Sequence, residues 1–157
     1  MFSVKDGDRT LQFNGVLLAK STSERKDAHR WIEFELYRTE SGSYILSRIG
    51  VSLMYHGAAC SLVSKYHLSE APAYELDNNA VPCSECEPDL SLDLVFPEKY
   101  RYWAMVTDDA EDVMDALYKY DPVSRQHYLT SVSKRLLSDA SKVDFEIADV
   151  YTVEVIP

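Results

Sequence analysis

Trp31-Ile32-Glu33-Phe34-Glu35-Leu36-Tyr37-Arg38 changes character at almost every step, with Ile32, Phe34 and Leu36 on one side and Glu33, Glu35 and Tyr37 on the other. A period of two sends successive side chains to opposite faces of a strand, so this stretch offers one apolar face and one wet face. Glu40-Ser41-Gly42-Ser43 has the composition of a turn, and Tyr44-Ile45-Leu46-Ser47-Arg48-Ile49-Gly50-Val51 returns with strand character. Together they predict an antiparallel hairpin.

Toward the N-terminus, residues 1–9 are polar and expected to be flexible. Leu11 to Ala19 predicts a strand or short hairpin with Asn14-Gly15 as its turn or bulge, and Ser21 to Asp27 an exposed loop. Toward the C-terminus the period changes. Tyr55, Ala59, Leu62, Val63 and Tyr66 recur at helical spacing, which predicts a short amphipathic helix with His56, Cys60 and Ser64 on its polar face. Residues 69–89 carry Pro72, Asn78-Asn79, Pro82 and Pro88 and read as a long irregular loop.

Leu90 to Phe96 alternates like a half-buried strand, and Tyr100 to Val106 continues it or pairs with it. Asp108 is the expected N-cap of a helix striped by Ala110, Val113, Met114, Leu117 and Tyr118, with Glu111 closing a capping box. Asp121-Pro122 is expected to end that helix and begin another reaching Ser141, and Phe145 to Ile156 to form a last strand. The fold class is therefore α+β: an antiparallel sheet of N-terminal hairpins plus a C-terminal strand, with two to three helices packed on one face. A doubly wound parallel sheet needs regular strand–helix alternation, which this chain lacks.

At 157 residues the chain suits a single domain over 1–157, and its 46% hydrophobic and 11% aromatic content argues against disorder. Its 26 acidic and 16 basic residues leave a formal net charge of −10. That sign disfavours direct nucleic-acid binding and suits a protein partner with a basic surface. Eleven tyrosines fit contact surfaces where one end of the ring stays wet. The N-terminus lacks the apolar run of a signal peptide, no segment has the length of a membrane span, and three cysteines fit a reducing compartment, so a cytoplasmic location is expected.

Cys83 and Cys86 form a C-x-x-C, a spacing at which two thiolates can bite one tetrahedral zinc. With His56 and Cys60 expected four residues apart on one helical face, a Cys₃His structural site would staple the long loop to the helix. His67 is an alternative to His56 as ligand. The plain structural reading has Cys60 as a small buried hydrophobe and Cys83 and Cys86 as thiols in a loop.

Pro82-Cys83-Ser84-Glu85-Cys86, with His56 upstream by 83 − 56 = 27 positions, resembles the H-x-E and P-C-x-x-C pattern of the zinc-dependent nucleobase deaminases. That resemblance covers about thirty residues and implies zinc on His56, Cys83 and Cys86. Ala58 stands where the family has its general acid/base glutamate, so the proton shuttle is missing. A glycine-rich phosphate loop and a G-x-S-x-G elbow are both absent. The expected function is a small acidic protein-binding module braced by a structural zinc: a non-enzymatic inhibitor, immunity-type or adaptor protein of bacterial or phage kind. The alternative is a zinc-dependent deaminase-like enzyme or other metallohydrolase centred on His56, Cys83 and Cys86.

Overall fold

In a computed structural model, residues 1–57, 59–65, 80–83, 94–95, 99–154 and 156–157 are described. They form an α+β fold, as the hydrophobic periodicity predicts, laid out in two compact units. The first comprises residues 1–23, 32–49 and 102–157, and the second residues 24–31 and 50–101.

The first unit is built on the predicted hairpin, strands β4 (Arg30–Thr39) and β5 (Tyr44–Ser52). Its turn closes with the Thr39 amide donating to the Ser43 carbonyl at 2.8 Å, and Gly42 takes a φ of +93° that L side chains rarely adopt. Strand β3 (Gly15–Thr22) pairs antiparallel with β4, and β9 (Tyr100–Thr107) lies beside β5, giving the order β3-β4-β5-β9. Gly15 sits opposite Thr39 so closely that an added Cβ would lie 2.2 Å from the Arg38 carbonyl oxygen. That close approach is why a glycine begins β3.

Both faces of this sheet are covered. Ala19, Phe34, Leu36, Tyr44 and Leu46 pack against Val113, Leu136, Leu137 and Ile147 of the helices α2 (Ala110–Leu117), α3 (Ser131–Ser141) and α4 (Phe145–Thr152). On the opposite face Tyr37, Ile45 and Ala104 meet Val4, Phe2 and Phe13 of the hairpin β1 (Phe2–Asp6) and β2 (Arg9–Phe13). Rings of Phe2 and Phe13 stand 4.9 and 5.0 Å from that of Tyr37. Residues 1–9, expected to be flexible, are thus mostly strand, because they supply the lid for the face expected to be wet. Under that lid Tyr37 donates to Glu35, and burial first, then this carboxylate, hold its phenol above the ordinary tyrosine range.

Further assignments in the C-terminal half differ from the periodicity. The last element is helix α4, not a C-terminal strand: Asp144 caps it by accepting from the Ile147 amide at 3.0 Å, and local capping with burial of Ile147 outweighs the β-branched composition. Asp121-Pro122 opens no helix. It lies in the turn of a hairpin, β10 (Lys119–Asp121) with β11 (Gln126–Tyr128), where Asp121 accepts from the Val123 amide and Arg125 takes a φ of +56°. Helix α3 begins only after Thr130, whose hydroxyl caps it. The N-cap of α2 is Asp109 rather than Asp108.

Asp144 also ties α4 to the central hairpin. Its carboxylate takes Arg38 Nη1 at 2.7 Å and the Tyr44 hydroxyl at 2.6 Å, while Arg38 Nη2 reaches Glu146 at 2.8 Å. Asp144 is 6% exposed and Tyr44 fully buried. Burial alone would raise the Asp144 carboxyl, but the Tyr44 hydroxyl, the Ile147 amide and Arg38 more than offset it and hold it below the ordinary range. A depressed folded value means stability present above the ordinary carboxyl range, about pH 4, and lost as pH falls through the folded value. Urea melts at pH 7 should show Asp144→Asn destabilised by ~3 kcal/mol, the scale of a broken buried pair. The wild type should lose more stability than the variant between pH 7 and pH 3, and equal losses would contradict this role.

Candidate metal centre

The second unit holds His56, Cys60 and Cys83. His56 lies in β6 (Met54–Gly57), the middle strand of three. On one side β7 (Val81–Pro82) runs parallel, with Met54 opposite Val81 and Tyr55 opposite Pro82. On the other, β8 (Leu94–Val95) runs antiparallel and sets Val95 opposite His56. The Cys83 amide donates to the Tyr55 carbonyl at 2.7 Å, which places Cys83 at the end of β7 beside the strand carrying His56.

Cys60 arrives by a different route. After β6 the chain turns, the Cys60 amide donating to the Gly57 carbonyl at 2.9 Å, and helix α1 (Ser61–Lys65) follows. The i and i+4 relation of His56 and Cys60 is therefore not helical, as their spacing predicts. A strand end and a turn bring them together, because the apolar positions 62 and 63 serve a helix only five residues long. Cys86, His67 and most of the predicted loop 69–89 lie outside the described residues, as does Ala58.

All three side chains are buried: His56 is 7% exposed, Cys60 8% and Cys83 1%. Their ligand atoms lie within 4.8 Å of one another, and His56 Nδ1 is 3.6 Å from Cys60 Sγ. Neither Cys60 nor Cys83 is in a disulfide. Ideal tetrahedral zinc, with ~2.3 Å bonds to sulfur and ~2.05 Å to nitrogen, separates an imidazole nitrogen from a thiolate by ~3.6 Å and two thiolates by ~3.8 Å. The His56–Cys60 pair already meets the first figure. The set as a whole spans up to 4.8 Å, so closing on an ion requires an inward movement of about one ångström at most.

This group can hold a metal ion, and the donor set of one imidazole and two thiols suits a borderline-soft one. No family model, curated protein or solved structure matches the chain. The site's chemistry therefore rests on its own donors. Among the described residues no Asp or Glu belongs to the group, and position 58, where the deaminase pattern has its glutamate, is alanine.

Spacing points to His56, Cys60 and Cys83 as ligands, and the structure brings these three together. It does so through the parallel pairing of residues 54–55 with 81–82, for which the sequence carries no local signal. Cobalt(II) added to the reduced protein should give intense thiolate-to-metal charge-transfer absorption and tetrahedral d–d bands in equimolar amount. Cys60→Ser should reduce the charge-transfer intensity by about a third, the share of one thiolate in a Cys₃His set. An unchanged spectrum in that variant would remove Cys60 from the site.

Proposed function

We propose that this chain is a non-catalytic protein-binding module braced by a structural zinc held by His56, Cys60 and Cys83, with Cys86 as the fourth ligand. The observation that supports it is the burial of all three described donors. Structural zinc sites are closed, whereas catalytic ones keep an open position for water or substrate and a neighbouring acid/base. The missing carboxylate at position 58 supports the same reading over a deaminase-like enzyme.

The surface features of the first unit suit the binding role. Hairpin β10–β11 pairs with no other strand among the described residues and exposes Tyr120, Tyr128 and Val123, the last 92% exposed. A lone two-stranded hairpin is marginal in water, and exposed tyrosines are typical anchors of interfaces. A net charge of −10 favours a partner with a basic face, with attraction that weakens as salt rises. The partner class is that of an inhibitor, immunity-type or adaptor interaction, for a protein of bacterial or phage kind.

Two measurements test the reading. Cys83→Ser should lose stoichiometric zinc and the stability that zinc confers, with a melting temperature lower by several degrees. A variant that stays equally stable but loses a hydrolytic activity of the wild type would favour the metallohydrolase instead. Capture from the native host with wild type and with Tyr120→Ala/Tyr128→Ala should recover one basic protein with the first, release it at high salt, and fail with the second. Capture that is indifferent to both changes would contradict the binding role.

A further inference from the structure

Arg48 is out of place in its strand. Tyr44 and Leu46 point into the helix-covered face, and the same alternation carries position 48 onto that face, where an apolar side chain is expected. Ile32 and Phe34 of β4 and Trp103 of β9 extend the same face, Trp103 two residues from Met105 of the helix-side core. At this end the helices do not close over the sheet. A cleft of about 450 Å³ remains within the first unit, walled by Ile32, Phe34 and Trp103 from the strands and by Tyr118 and Lys119 where α2 passes into β10.

The charge of this cleft opposes that of the chain. Acidic residues outnumber basic ones by 26 to 16 overall, yet the lining holds Arg48 and Lys119 and no carboxylate. Neither cation forms an ion pair with a described residue, whereas Arg38 and Lys142 both do. Trp103 and Tyr118 are each 40% exposed, a cost for large rings that a bound molecule would remove. Two uncommitted cations beside aromatic walls, in a cleft of ligand size, are the parts of a site for a flat anion. The first turn of α3 also borders the cleft and adds positive potential of the same sense.

We infer that this cleft binds a small organic anion with a planar aromatic body, its ring between Phe34, Trp103 and Tyr118 and its carboxylate, sulfonate or phosphate on Arg48 and Lys119. Arg48 and Lys119 are exposed and Trp103 borders the cleft, so the site can be probed without disturbing the core.

The probe is 1-anilinonaphthalene-8-sulfonate, an anion with a planar naphthalene body whose fluorescence rises in apolar surroundings and whose absorption overlaps tryptophan emission. Wild type should bind one equivalent with quenching of tryptophan emission, and Trp103→Phe should abolish most of the quenching. Arg48→Met/Lys119→Met, shown folded by an unchanged circular dichroism spectrum and melting transition, should weaken the sulfonate at least tenfold, ~1.4 kcal/mol. The same double variant should bind the uncharged N-phenyl-1-naphthylamine as the wild type does. Arg48→Lys, which keeps the charge, should retain most of the affinity. Absence of saturable binding to the wild type, equal binding of the sulfonate to wild type and double variant, or an equal loss of both probes would each overturn the inference.

Discussion

Strand β4 has to hide both of its faces, and the first unit is arranged to do so. Phe34 and Leu36 require the helices on one side, while Tyr37 requires the β1–β2 hairpin on the other. Each fully buried side chain of this size is worth ~1.5–3 kcal/mol, so neither cover can be lost cheaply. Where the strand ends, Arg38 reaches Asp144 and Glu146 and fixes the start of α4. Where it begins, the helical cover stops short, and Ile32 and Phe34 become walls of the cleft. Core, ion network and cleft thus lie along one strand.

In the second unit the described residues bring buried donors together. The elements that lie wholly within it among the described residues are short, two to four residues in β6, β7 and β8 and one turn in α1. Buried Cys60, Cys83 and His56 converge from a turn, a strand end and a strand. Small folds with little regular structure gain stability from metal because binding free energy becomes folding free energy. The zinc brace we propose would account for three groups able to coordinate a metal occupying buried positions.

What was legible in the sequence follows the range of the forces involved. The hairpin β4–β5, the helix α2 and the α+β class are written in periodicities of two and 3.6, which are local. The C-terminal segment misled because Phe145, Ile147, Tyr151 and Val153 have strand composition, while the decisive groups, Asp144 as cap and Arg38 as its partner, are 106 residues apart. Residues 1–9 misled because polar composition cannot reveal that Phe2 and Val4 cover Tyr37. Residue type and spacing point to four candidate ligands, and the described residues bring three of them together. The route was not legible, since parallel pairing of Tyr55 with Pro82 is a tertiary event. Arg48 in the alternation Tyr44, Leu46, Arg48 is the one trace of the cleft that the sequence carries.

The central claim is that metal on His56, Cys60 and Cys83 holds the second unit together while the first is held by its own core. Hydrogen–deuterium exchange with and without a chelator tests it most directly. The account predicts that chelation deprotects amides around Met54–Gly57 and Val81–Cys83 and leaves those of β4, α2 and α3 protected. Protection unchanged throughout, or lost equally in both units, would contradict it.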